Sequence, residues 1–319
     1  MSSLLRNPVA RRLLRPAATL IDQRVQRPVS RLRKDMDKAA LAGGEAMRKD
    51  LAALRAEVAE LRTRLYPAEL LFERPGAGRN RMPTREEIEQ LSQEVAKVSG
   101  QHVGFARRNV KGAFRTVIAL EALGVGRLAG TTSNVCGKLA TVPLLDPPNG
   151  EVLEIGTLYG LFSAAFLPML HRAGVEARLT IVDPLAGDQL QPGATMGSEP
   201  TGTPVRMDVL RANLALGGAA GAAARVQQGF STDPEVREAV SDRAYGVIIV
   251  DGDHSAAGVA ADLEWAETIA APGGIVVLDD YGDKNWLGVQ EATDRHLAGD
   301  TRFEMLGRAA TSAFLRARL

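Results

Sequence analysis

The chain has 319 residues, 45% apolar and 24% charged, the composition of a globular protein with ample material for a core. No apolar run reaches the ~20 residues of a membrane-spanning helix, nothing at the N-terminus reads as a secretory signal, and a single cysteine, Cys136, excludes an intramolecular disulfide and fits a reducing cytosol. The net charge is only +1, yet residues 1–34 hold nine Arg or Lys against one acid, Asp22, so a segment of +8 precedes a remainder of −7.

Residues 1–34 read as a basic arm in which Pro8, Pro16 and Pro28 interrupt any long helix. Its arginines lie among Leu, Val and Ile, which suits either a solvated arm or contact with an anionic membrane face. The expected location is cytoplasmic or membrane-peripheral, with no nucleic-acid partner. Residues 35–66 read as a coiled-coil-like helix: Met47, Leu51, Leu54, Val58, Leu61 and Leu65 alternate four and three apart, an a/d seam flanked by charges. The seam predicts a homo-oligomer or a helix packed on its own body. Residues 67–145 read as a linker, over Tyr66–Arg81, and then helices over 82–145. Thr84 followed by Glu86 and Glu87 predicts a helix start.

From residue 146 to 319 the pattern becomes strand, turn, helix, repeated. Strands are predicted at Glu151–Ile155, Leu179–Val182, Arg225–Gln228, Tyr245–Val250 and Ile275–Leu278. Helices are predicted at Leu161–Arg172, Met207–Leu216, 233–241 and Val259–Ala270. This alternation predicts an α/β fold, a Rossmann-like doubly wound parallel sheet. Phe303–Leu306 and Ser312–Leu315, flanking Gly307, predict an edge hairpin.

An open α/β sheet binds its ligand at the carboxyl ends of its strands. Glu154-Ile-Gly156-Thr157-Leu-Tyr159-Gly160 follows a strand and opens a helix, and Asp183 ends the next strand. Glycines suit a tight turn approached closely by a ligand, and a carboxylate at Asp183 suits the two ribose hydroxyls of an adenosine. Leu158 in mid-turn counts against the Gly-x-Gly-x-x-Gly pattern of a nicotinamide oxidoreductase, one alternative reading. Further on, Asp251-Gly-Asp253-His254 ends one buried strand, and Asp279-Asp280 ends the following one. Adjacent strands lie about 5 Å apart, so these acids should converge, and converging carboxylates repel unless a cation lies among them. All-oxygen donors suit a hard ion such as Mg²⁺ or Ca²⁺ better than zinc. A metal lowers the pKa of a coordinated hydroxyl, and His254 can take the proton.

Glu154-Ile-Gly-Thr-Leu-Tyr-Gly160, Asp251-Gly-Asp-His254, Asp262, Pro272-Gly-Gly274 and Asp279-Asp280-Tyr281 together resemble class I methyltransferases of the Methyltransf_24 type, and among them the macrolide-sugar (macrocin-like) O-methyltransferases. The resemblance covers about residues 145–290. It implies that Glu154, Gly156, Thr157, Tyr159, Gly160, Asp183 and Asp251 line an S-adenosylmethionine site. It further implies that Asp251, Asp279 and Asp280 hold Mg²⁺, and that His254 is the base acting on a sugar, glycolipid or natural-product hydroxyl. Ala256 and Ala257 depart from the aromatic and acid that commonly follow His-Ser in that family. A third reading is a coiled-coil scaffold carrying a degenerate methyltransferase domain.

Overall fold

The computed structural model describes residues 27–41, 45–72, 83–186 and 203–318, with backbone alone for 37–41, 45–49 and 64–72. The chain divides into two compact units, one ending at Arg74 and one beginning at Pro75, and each is taken by itself.

In the first unit, α1 spans Arg27–Leu41 and α2 spans Glu45–Phe72. Pro28 falls in the first turn of α1, where a missing N–H costs nothing. The rest of the basic arm, residues 1–26, lies outside the described residues. Helix α2 continues through Pro67 to Phe72, inside the stretch Tyr66–Arg81 expected as a linker, and residues 73–81 lie outside the described residues. The two helices pack together. Met36 and Leu51 are buried, whereas Leu54 and Leu61 of the heptad seam are exposed. Among the described residues no helix is long and apolar enough to cross a membrane.

The second unit begins with three helices, α3 (Arg85–Ser99), α4 (Val103–Leu123) and α5 (Thr132–Thr141). Helix α3 starts at a reciprocal cap: the Thr84 hydroxyl accepts from the Glu87 N–H at 3.1 Å, and the Glu87 carboxylate accepts from the Thr84 N–H at 2.6 Å. His102 caps α4 by accepting from the Gly104 N–H.

The alternating half follows as β1 (Glu151–Ile155), α6 (Leu161–Arg172), β2 (Arg178–Asp183), α7 (Met207–Ala215), α8 (Ala219–Ala222), β3 (Arg225–Gln228) and α9 (Pro234–Val240). It continues through β4 (Tyr245–Val250), α10 (Ala256–Ile269), β5 (Ala270–Leu278), α11 (Leu287–Ala298), β6 (Phe303–Ala309) and β7 (Ser312–Ala317). The sheet order is β3-β2-β1-β4-β5-β7-β6, with β1 to β5 parallel and β7 antiparallel to both its neighbours. The predicted hairpin is present, but Gly307 lies inside β6 at a register shift and the turn falls at Ala310–Thr311.

Strand β4 and the Ile275–Leu278 part of β5 are buried on both faces, which explains their near-continuous apolar runs. One core layer joins one face of the sheet to Leu91, Val95, Val110, Phe114, Leu139 and Phe166. The helices preceding β1 are part of the sheet's own compact unit. The opposite layer packs Val259, Leu263 and Trp265 against Leu153, Ile248 and Val276. Strand order reverses between β1 and β4, and that reversal is where a doubly wound sheet opens a crevice beyond its carboxyl ends.

Candidate active site

The crevice is a cavity of about 1310 Å³ beyond the ends of β1, β2, β4 and β5. Two adjacent sets of residues define its chemistry.

The first set is the turn between β1 and α6. Gly156 has φ +82°, and a Cβ there would lie 2.2 Å from the Asp251 carbonyl oxygen, so only glycine lets β1 and β4 end side by side. Leu158 also holds a positive φ, 54°, a strained conformation for a leucine and the kind that collects at functional sites. Asp183 holds this turn in place. Its Oδ2 accepts from the Thr157 and Leu158 N–H groups at 2.7 and 3.1 Å, and its Oδ1 accepts from the Leu185 N–H at 2.7 Å. A carboxylate offers about four lone-pair sites, so Asp183 has little left for a ligand and its first work is to shape the cradle. Tyr159 is buried, with its hydroxyl donating to the Thr203 carbonyl; it supports the turn from behind.

Glu154 is the buried acid of this turn. Its Oε2 accepts from the hydroxyls of Thr157 and Ser163, both at 2.6 Å. Its Oε1 is buried without a hydrogen-bond partner. Burial pushes the carboxyl up to about 7, against the opposing pull of those two hydroxyls and of Lys138.

The second set stands at the ends of β4 and β5. Asp251, Asp279, Asp280 and His254 converge as the sequence spacing predicted. His254 Nε2 lies 3.9 Å from Asp251 Oδ1, 3.8 Å from Asp279 Oδ2 and 3.5 Å from Asp280 Oδ2. His254 Nδ1 is 3.1 Å from the Gly252 carbonyl, which fixes the proton on Nδ1 in the neutral ring and leaves Nε2 as the basic nitrogen. The His254 side chain is 8% exposed, whereas that of Asp251 is 25% exposed. The imidazole is therefore less open to the cavity than the Asp251 and Asp280 carboxylates. Asp253 plays a local part: it accepts from the Ser255 N–H and hydroxyl, capping the loop.

Sequence reasoning missed Lys138. It arrives from α5, where every residue from Asn134 to Thr141 is buried. Its Nζ lies 2.5 Å from Asp279 Oδ1 and 2.9 Å from Asp251 Oδ2, and 4.7 Å from the centroid of the Phe162 ring. The available signal was a lone lysine in a helix of small and apolar residues, which is rarely buried without a partner. Burial alone would depress its pKa, but Asp251 and Asp279 outweigh that and hold the ammonium above the usual lysine range. Burial also raises Asp279, but Lys138 and hydrogen bonds from its neighbours overturn this and hold it below the usual carboxylate range. Asp251 is raised well above that range by burial and by the charge of Asp279. Asp280, with φ 55°, is pushed up to about 6 by burial and by Asp279. His254 is raised: its burial is outweighed by the pull of Asp279, Asp251 and Asp280 around its ring.

The two expected groups fare differently against this geometry. The cradle that a Cβ would fill, the unpartnered Oε1 of Glu154 and the open volume beside them fit an adenosine cofactor with a charged amino-acid end. A divalent ion fits less well. Ligand atoms of Asp251, His254 and Asp279 lie within 4.8 Å of one another, and their types suit a hard ion. But an ammonium already bridges Asp251 and Asp279. At about 4 Å and an effective dielectric of about 20, two unit charges interact by about 4 kcal/mol, so a divalent ion would meet about twice that in repulsion from Lys138. The cation that the converging acids demanded is a side chain, and the expected Mg²⁺ centre at Asp251, Asp279 and Asp280 does not fit as a resident ion.

A doubly wound sheet with a glycine cradle and strand-end acids at its switch point defines an enzyme domain of the nucleotide-cofactor class. Residues 153–281 match the family model described as a methyltransferase domain. No curated protein sequence matches the chain. Among solved structures, the calicheamicin methyltransferase CalS11 is 20% identical, with 74% of this chain and 94% of that one covered and a TM-score of 0.42. The O-methyltransferase from Bacillus cereus in complex with SAH is 14% identical, covering 74% and 93%, with a TM-score of 0.41. TomG from Streptomyces achromogenes is 16% identical, covering 66% and 90%, with a TM-score of 0.41.

Proposed function

We propose that the chain is an O-methyltransferase whose acceptor is a hydroxyl of a sugar, glycolipid or other natural product. The observation that carries this reading is the convergence of Asp251, Asp279, Asp280 and His254 on the wall of the cavity that also contains the Gly156 cradle. When bound, S-adenosylmethionine supplies an electrophilic methyl group on a sulfonium. Glu154, Gly156, Thr157, Gly160 and Asp183 would hold it, with the unpartnered Oε1 of Glu154 available to a cationic group. Phe230, 58% exposed in the cavity wall after β3, offers a face to a planar heterocycle.

A neutral hydroxyl is a poor nucleophile, so the protein must remove its proton as it attacks. Asp251 is the most open of the cluster and is the group the hydroxyl meets. Its proton passes into the cluster and rests on His254 Nε2, where the three surrounding carboxylates stabilise the imidazolium. No step passes through a metal. The exposed Leu54 and Leu61 of α2 support pairing with a second copy of the chain, which sedimentation of the full chain against a Leu54→Glu, Leu61→Glu variant would test.

The test of the reaction is transfer of a labelled methyl group from S-adenosylmethionine to a panel of glycosides and hydroxylated natural products, compared with amine and thiol acceptors. Label should appear on an oxygen, and His254→Gln and Asp251→Asn should each lower the rate by about 10²–10⁴-fold, the range of general base catalysis. Label on nitrogen or sulfur alone would overturn the O-methyl reading.

A further inference from the structure

We propose that the Lys138 ammonium is the resident cation of the active site, taking the position a divalent metal would hold between Asp251 and Asp279, so that methyl transfer proceeds without a metal. This rests on the methyltransferase reading above and adds to it the identity of the charge that holds the acids together.

Three observations carry the inference. The ammonium touches both carboxylates directly, Asp279 Oδ1 at 2.5 Å and Asp251 Oδ2 at 2.9 Å, and so bridges the two strand ends. Its remaining side is closed by the face of Phe162, so it is seated in a built site rather than resting at a surface. It comes from α5, a helix outside the matched family segment, every turn of which from Asn134 onward is buried. A lysine sunk into such a helix forfeits its hydration, and pairing with both strand-end acids is what compensates. Lys138 acts through those acids and is a positioning residue. It holds Asp251 and Asp279 side by side, with Asp251 Oδ1 and Asp279 Oδ2 turned toward His254. Unlike an ion, a covalently tethered cation offers no vacant coordination position to an acceptor hydroxyl. Activation of the hydroxyl therefore falls to the carboxylate and histidine cluster alone.

The experiment titrates the full chain with Mn²⁺, read by electron paramagnetic resonance with S-adenosylhomocysteine present, and then repeats the titration on Lys138→Met and Lys138→Gln. The wild type should show no stoichiometric Mn²⁺ binding up to millimolar metal, and EDTA should leave its turnover unchanged. Removing the ammonium uncovers the acids, so at least one variant should gain Mn²⁺ affinity by about tenfold or more, the scale on which groups around metal ligands act. One equivalent of Mn²⁺ bound tightly by the wild type, or turnover lost in EDTA and restored by Mg²⁺, would overturn the proposal, as would folded variants that bind Mn²⁺ no better than the wild type. Should neither variant fold, the wild-type titration still decides. Because that titration does not depend on turnover, a failure of the O-methyl reading would leave its result intact and separately legible.

Discussion

Replacing Glu154 by glutamine should make the protein more stable at alkaline pH while changing little in acid. In the fold its carboxyl titrates at about 7 against an ordinary 4.5, because burial penalises the charged form more than the Thr157 and Ser163 hydroxyls favour it. The folded state therefore binds this proton more tightly than the unfolded state. The sign follows: the raised pKa favours folding below the ordinary value, and that advantage is lost as pH rises from about 4.5 through about 7. With about 1.4 kcal/mol per unit, the loss is on the order of 3 kcal/mol. Glutamine cannot ionise, so its variant does not suffer this decline. The assay is urea unfolding of both proteins without cofactor at about pH 5 and about pH 8.5. Any constant cost of fitting the amide cancels in the double difference, as do the other titrating groups. A difference of about 3 kcal/mol corresponds to roughly 6–12 °C in melting temperature for a unit of this size. Parallel pH curves for the two proteins would refute the claim that Glu154 is buried and protonated in the empty site.

Gly156→Ala should abolish cofactor binding and destabilise the fold by more than about 2 kcal/mol, since a left-handed alanine alone costs roughly 1–2 kcal/mol and its Cβ would press on the Asp251 carbonyl; thermal melting and calorimetry check both. Asn213→Ala should cost about 3 kcal/mol, because this buried side chain bonds the Val125 N–H, the Val125 carbonyl and the Tyr159 carbonyl, at about 1 kcal/mol each; urea unfolding measures it. The rate of methyl transfer should fall in acid as the cluster takes up protons, since Asp280 titrates at about 6 and His254 above its ordinary value. A profile of kcat/KM from about pH 5 to about pH 9 should show this limb, with His254→Gln removing its upper part.

The parallel half of the fold was legible because its strands are short apolar runs bounded by glycines, and its helices are amphipathic or buried. Tyr245–Val250 falls where its residue types place it, and Arg225–Gln228, with a single apolar residue, falls where the alternation of elements requires a strand. Strand β5 begins five residues earlier than predicted, at Ala270, because Pro272-Gly-Gly274 reads as a turn while the backbone stays in the sheet past a register shift. Gly307 misled in the opposite direction, marking a bulge and not the hairpin turn. In the site, acids at strand ends could be brought together from spacing alone, since sheet geometry fixes where strands end. Lys138 could not, because its partners are more than a hundred residues away and no local pattern ties α5 to the sheet edge. The structural part played by Asp183 was equally hidden: a carboxylate that accepts backbone N–H groups and one that accepts ribose hydroxyls look alike in a sequence.

The account depends on the crevice between β1 and β4 taking S-adenosylmethionine, and calorimetric titration of the purified chain with that cofactor tests it most directly. One site per chain should fill, and Asp183→Ala, which releases the Thr157 and Leu158 N–H groups from the turn, should lose the binding while keeping its secondary structure. Absence of any heat from the wild type, or undiminished binding to the variant, would contradict it.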